Sequence, residues 1–431
     1  MLLVLRISFQ APGEKTPGRG YNMQTKHYRF KRRFFIILGV FIVCTIAFIA
    51  LMVSCTYTKS DEEKKAEEIP VQEASLVAFG DDLFHDTVYQ AYENDGYDFT
   101  PIYEHVQDEI DKADIACINQ ETMPVKSNYS GYPLFGTPIQ IIDTLHDVGF
   151  DVVLQASNHS ADRGSDAIDT MLKYWKEKYP KVKVLGAHRT EEDANKIKVL
   201  KKNGMTFALL NYTYDLNGLS LPAGKEYMID MLDQDHKEKI KEDIKKASKY
   251  DFTIVFPHWG IEYQYEPVDE QKEWAQFFAD EGVDVVIGMH PHVIEPVRVV
   301  KGKNGNRMVC FYSLGNFVSC QNEVDTMLGG MAMVDFVKDK DGPRVTHYRM
   351  RGTVTHIGSG FSHFTTYKLA DYTEELASQN YIRSLASSEF SLKVLKNLFK
   401  EITGGKSSGT LKLQKPEPDT EDGDEDEDDA A

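Results

Sequence analysis

From Ala74 onward, short apolar runs alternate with longer amphipathic stretches, and five of the runs stop at polar residues. SLVAF, DIACI, DVVLQA, FTIVFP and VDVVI each read as a buried strand, being almost wholly apolar over a strand's length. The pattern predicts strands over 75–80, 114–118, 151–156, 182–186, 206–212, 252–257 and 283–288. Helices are predicted near 101–112, 138–148, 164–178, 234–248 and 269–281. Alternation of this kind predicts an α/β fold with helices covering the sheets. After Pro296, VRVV, MVCFYSL, MAMVDFV and RVTHYRMRG are separated by NGN, GG and KDGP, as in a run of antiparallel strands. Two helices are expected within 370–403, and the acidic stretch 406–431 reads as disordered.

One segment breaks this pattern. Residues 34–53, FFIILGVFIVCTIAFIALMV, are apolar and uncharged over enough length to cross a hydrocarbon core of roughly 30 Å as a helix. Arg29, Lys31, Arg32 and Arg33 precede it, and SDEEKKAEE follows. The positive-inside rule then predicts a single pass of the cell membrane, with residues 1–33 cytoplasmic and the main domain extracellular. A lipoprotein acylated at Cys55 is the alternative, and it leaves the domain tethered in the same place. Residues 54–73 read as a polar linker, 74–340 as the main domain and 341–405 as strands and helices that complete it.

Composition adds two constraints. Five cysteines are too few for a disulfide framework in a chain of 431 residues, although Cys310 and Cys320 flank FYSLGNFVS and are a candidate pair. The net charge of -18 argues against nucleic acid as a partner.

The chemistry lies where the apolar runs stop. Gly80-Asp81, Asn119-Gln120-Glu121, Ser157-Asn158-His159, His258-Trp259-Gly260 and Gly288-Met289-His290-Pro291-His292 each follow a predicted strand. Oxygen and nitrogen donors delivered to one sheet edge, with no cysteine among them, suit a hydrolytic divalent-metal centre better than a structural zinc. Asp81 and Glu121 are the candidate charged oxygen ligands and Asn158 a neutral one, while His258, His290 and His292 supply ring nitrogens. His159 is placed to act as general acid towards a leaving oxygen. Ser157 and Asn158 would also suit the cap of the helix that follows. Arg163, Glu262 and Asn316 are candidate substrate contacts, Arg163 through bidentate pairing with a carboxylate or phosphate.

This ordered set resembles the calcineurin-like metallophosphoesterases. More closely, ASNHSADRG, HWGIEY, GMHPHVIEP and YSLGNFV resemble the bacterial capsule synthesis proteins of the CapA/PgsA family, associated with poly-γ-glutamate, over roughly residues 74 to 320. The resemblance implies a layered α/β sandwich with mixed sheets, preceded by one transmembrane helix. It implies one or two divalent ions (Mn, Zn or Fe). Asp81 and His292 would hold the first, Asn158, His258 and His290 the second, with Glu121 bridging or nearly so and His159 as catalytic acid. The chain departs from the phosphoesterase pattern at Leu83, where a ligand histidine is expected; Asp82 and His85 are the nearest replacements. Asn119-Gln120-Glu121 also stands where Gly-Asp-x-x-Asp is expected. The implied function is synthesis, export or attachment of a capsule polymer, beside membrane subunits of a poly-γ-glutamate synthase, on an anionic polymer or phosphoester. An extracellular phosphatase or phosphodiesterase acting on small substrates, and a non-catalytic scaffold, are the alternatives.

Overall fold

The computed structural model describes residues 23–64 and 70–411, with side chains described for 32–54 and 70–411. The start of the basic arm, the side chain of Cys55 and the acidic tail from 412 lie outside these. The chain divides into two units, Met1–Ile69 and Pro70–Ala431.

In the first unit a helix runs from Met23 to Lys64. Its stretch Arg32–Ser54, 23 residues of mean hydropathy 3.1, is long and apolar enough to cross a membrane and fits a single-pass anchor. The helix continues past the apolar run into the segment expected to be linker, because TKSDEEK is rich in good helix formers.

The second unit is built on two mixed sheets, as the sequence predicts. Edge to edge, the first runs Phe364–Lys368, Gly342–Ile357, Leu328–Asp339, Gln72–Asp82, Ile115–Asn119, Val152–Leu154 and Lys183–Leu185. Its three strands from Ile115–Asn119 to Lys183–Leu185 run parallel to Gln72–Asp82, whereas Leu328–Asp339 is antiparallel to it. The second sheet runs Val297–Lys301, Arg307–Phe311, Val285–Ile287, Phe252–His258, Met205–Thr213 and Lys198–Lys202.

Strand periodicity decides which side chain enters which layer. Along Met205–Thr213, Phe207 and Leu209 join the core shared with the first sheet, while Ala208, Leu210 and Tyr212 face a second core with Ile240, Trp274 and Phe278. Those last three lie on the helices Lys237–Ala247 and Asp269–Asp280. The two sheets meet at Phe207, Phe252 and Phe336, whose ring centroids lie 4.7–5.2 Å apart. Helices Ile141–Val148 and Gly164–Lys178 bury Ile142, Leu145, Ile168 and Met171 in the core of the first sheet.

Three expectations need correction. The strands after Pro296 do not form one antiparallel run: Arg307–Phe311 pairs parallel to Val285–Ile287, and Asn316–Val318 pairs parallel to Gln72–Asp82. Cys310 and Cys320 are therefore not partners across a hairpin, and both are free thiols. The stretch read as disordered from 406 begins with an ordered strand, Ser408–Thr410, which pairs with His347–Arg349 through backbone hydrogen bonds that composition does not reveal.

His188 ties the edge of the first sheet to its surroundings. It is 3% exposed, with Nε2 2.6 Å from Asp230 and Nδ1 3.8 Å from Asp193. Burial opposes its charge, but the two carboxylates push its pKa up to about 9. A folded-state pKa above the unfolded value near 6.5 stabilises fully below the latter, and the gain is lost as pH rises through 9. Wild-type protein should therefore lose on the order of 3 kcal/mol of unfolding free energy between about pH 6 and 10, measured by denaturant titration. His188→Gln should show a loss smaller by about that amount over the same window, the remainder coming from other groups with raised pKa such as His292.

Candidate metal centre

The parallel register of the first sheet sets Asp81 beside Asn119 on one side and Asn316 on the other, at the ends of three adjacent strands. From the second sheet, His258 ends its strand, and Met289 is bridged to it. That bridge brings the turn carrying His290 and His292 against the same edge. Two glycines make the approach possible: a Cβ on Gly80 would stand 1.8 Å from the Gly315 carbonyl oxygen, and one on Gly288 1.9 Å from that of Tyr312. His290 and His292 both have positive φ, 100° and 58°. For residues other than glycine this costs on the order of 1–3 kcal/mol each. Polar contacts hold them there, since the His290 N–H donates to Asp81 Oδ2 (3.2 Å) and His292 Nδ1 lies 3.0 Å from Asn316 Oδ1.

The side chains converge. Asp81, Glu121 and His292 present ligand atoms within 4.8 Å of one another, and so do Glu262, His290 and His292. Glu121 Oε1 is 3.8 Å from His258 Nε2 and 3.9 Å from His292 Nε2. His258 and Asn158 are bonded to each other, Nε2 to Oδ1, at 2.9 Å. Asn119 donates to Asp81 Oδ1 at 2.8 Å and approaches His258 Nδ1 at 3.4 Å.

Electrostatics separate these groups. Burial pushes Glu121 well above the ordinary carboxylate range, partly opposed by the charge on His292. Burial likewise opposes charge on His292, yet Glu121, Asp81 and Glu262 together push it up to about 9. Glu121 and His292 thus compete for one proton. His258 and His290 are held well below the usual imidazole range, first by burial and then by neighbouring histidines, so both are neutral ligands-in-waiting at pH 7.

A divalent cation fits this arrangement. Both carboxylate oxygens of Glu121 and Nδ1 of His290 are buried with no hydrogen-bond partner, a state that costs free energy unless something positive completes it. The donors are oxygen and nitrogen only, in keeping with a catalytic rather than a structural ion.

Beside the cluster opens a cavity of about 510 Å³ lined by His159, Asn158, Glu262 and His292 among others, with no lysine or arginine on its wall. His159 Nδ1 lies 2.8 Å from Asp162 Oδ2, and that oxygen also accepts from the Phe135 backbone N–H at 2.7 Å. The histidine is thus fixed by a buried carboxylate, leaving Nε2 as its other polar atom.

Several expected residues stand elsewhere. Arg163 does not line the cavity; its guanidinium donates to Ser130 Oγ (2.6 Å) and braces the 128–136 loop. Asn316 has its amide engaged by His292, Ser319, Gln321 and the Thr326 carbonyl, so it orients His292 rather than facing substrate. Glu262, expected at the substrate, stands with His290 and His292 as a candidate ligand. Ser157 and Asn158 cap no helix, since the next begins at Gly164. Neither replacement for the missing ligand at Leu83 joins the cluster. Asp82 accepts from Tyr103 Oη (2.7 Å) inside the core, and burial raises its pKa to about 8 against that bond. His85 lines the cavity but approaches the Leu83 carbonyl and the Cys320 N–H. Asn119, Asn217 and Asp162 as the anchor of His159 were not legible in advance; only proximity to a motif marked them.

Fold and site together define a layered α/β protein that gathers carboxylates and histidines of metal-ligand type at the ends of strands from both sheets. Residues 75–321 match the family model described as bacterial capsule synthesis protein PGA_cap. The PGA biosynthesis protein CapA of Bacillus subtilis (strain 168) is 31% identical over 321 residues, covering 70% of this chain and 77% of that one. The capsule biosynthesis protein CapA of Bacillus anthracis is 25% identical over 255 residues, covering 57% and 60%. The chain belongs to this capsule synthesis family, and its function is capsule-related. Among solved structures it is similar to a calcineurin-like phosphoesterase, YfkN, of Bacillus subtilis, at TM-score 0.37 and 15% identity over 77% of this chain and 99% of that one.

Saturating the protein with Mn²⁺ or Zn²⁺ at a hundredfold its Kd should raise the unfolding free energy by about 2.7 kcal/mol. Glu121→Gln should remove most of that increment, because it takes away a charged oxygen donor the ion would need. Calorimetry with and without a chelator reads both changes.

Proposed function

We propose that this is a membrane-anchored protein that acts outside the cell on poly-γ-glutamate or a related capsule polymer through a hydrolytic divalent-metal site. One observation carries the reading: Glu121, buried, without hydrogen bonds, and ringed by Asp81, His258 and His292. The N-terminal arm is cytoplasmic on the strength of Arg29, Lys31, Arg32 and Arg33 before the apolar helix and the acidic stretch after it.

Asp81, Glu121, Glu262, His290 and His292 would hold the ion, with Asn158 and His258 beside them. When bound, such an ion would supply Lewis-acid chemistry, activating the nucleophile and polarising the bond under attack. The remaining work falls to the protein. Asp162 fixes the ring of His159 through Nδ1, so Nε2 is the atom from which a proton reaches the departing group. Asn316 and Asn119 keep His292 and Asp81 in place. The choice of a γ-glutamyl amide over a phosphoester rests on the chain's capsule-synthesis relatives.

The test uses the full chain in detergent micelles, loaded with metal, and a γ-linked oligoglutamate whose cleavage is followed by release of free amine. His159→Ala should lower kcat by 10²–10⁴-fold while leaving the metal content unchanged. Full activity in that variant would remove His159 from the chemistry. A wild-type protein that binds no divalent ion would remove the hydrolase reading altogether.

A further inference from the structure

A second cavity, of about 610 Å³, shares no lining residue with the one at the metal centre. It lies where the C-terminal end of Gly164–Lys178 and the turn after it meet edge strands of both sheets, Lys183–Leu185 and Lys198–Lys202. Lys176, Lys183, Arg189, Lys196 and Lys198 line it, and Asp193 is its sole acidic lining residue. In a chain of net charge -18 this is a local reversal of sign.

The cations are only partly engaged. Lys198 pairs with Asp193 at 2.6 Å, Lys196 with Glu192 at 2.5 Å and Arg189 with Asp169 at 2.8 Å. These pairs are partly or largely exposed and are individually weak, so an incoming anion can share or displace them. His188 also reaches Asp193, which further offsets its charge. Lys176 and Lys183 form no ion pair among the described residues. Trp175, 3% exposed, lines the cavity with an indole N–H that has no acceptor.

We propose that this groove binds an extended polycarboxylate chain, holding the polymer on the protein while one of its bonds is presented at the metal centre. The identity of the polymer rests on the function proposed above; the groove's preference for an anion does not. Repulsion from an acidic surface acts over about 8–10 Å at physiological salt, so a polyanion is retained only where cations cluster. The cavity at the metal centre has none on its wall, and this groove has five. Holding the chain at a second place raises its effective concentration at the first.

The experiment is fluorescence anisotropy of a labelled γ-linked oligoglutamate with the full chain in detergent micelles, at several salt concentrations. Lys176→Glu combined with Lys183→Glu should weaken binding about tenfold or more and flatten its salt dependence. Metal content of the double variant should stay at the wild-type level. Should the reversal impair folding, Lys176→Gln with Lys183→Gln should weaken binding in the same direction. Unchanged affinity in folded groove variants would overturn the proposal. If wild type ignores the oligoglutamate yet binds inorganic polyphosphate through these lysines, the polycarboxylate assignment falls, and the poly-γ-glutamate reading with it.

Discussion

Asp81 and Glu121 are buried with no lysine or arginine on the wall of the cavity beside them, and the rest of the molecule answers to that constraint. A buried carboxylate is tolerable only if it is hydrogen-bonded, protonated or matched by positive charge. Asp81 receives the first from Asn119 and from the backbone of His290. Glu121 receives no hydrogen bond, and among the described residues its matching charge is the imidazolium of His292. The strained backbone at His290 and His292, the close approaches at Gly80 and Gly288, and the amides of Asn119 and Asn316 all keep neutral or cationic nitrogens around those acids.

Much of this was legible in the sequence because a strand ending in a buried polar residue leaves a local signature. SLVAF before Gly80-Asp81 and FTIVFP before His258 mark both the strand and the place where its chemistry emerges. What the sequence does not carry is cross-strand register. Asn119 acts on Asp81 because two strands pair in a particular alignment, and nothing local to Asn119 says so. Arg163 and Asn316 depend on distant contacts in the same way. Each sits within a suggestive motif, but its direction depends on a distant partner, Ser130 for one and His292 for the other.

Leu83 illustrates how a departure from a pattern is absorbed. No nearby residue moves in to supply a ligand: Asp82 turns into the core against Tyr103, and His85 engages backbone groups. Glu262, reaching in from the loop after His258, is a candidate donor of a different kind from the histidine expected at position 83. The donor set is thus spread more evenly over the two sheets, and its assembly depends on their packing through Phe207, Phe252 and Phe336.

The central strand, Gln72–Asp82, also has a direction. It begins at Gln72, and Asp81 lies near its other end. Nine residues of extended chain span roughly 30 Å. The cluster of candidate ligands therefore stands about one domain's breadth from Gln72, where the strand begins.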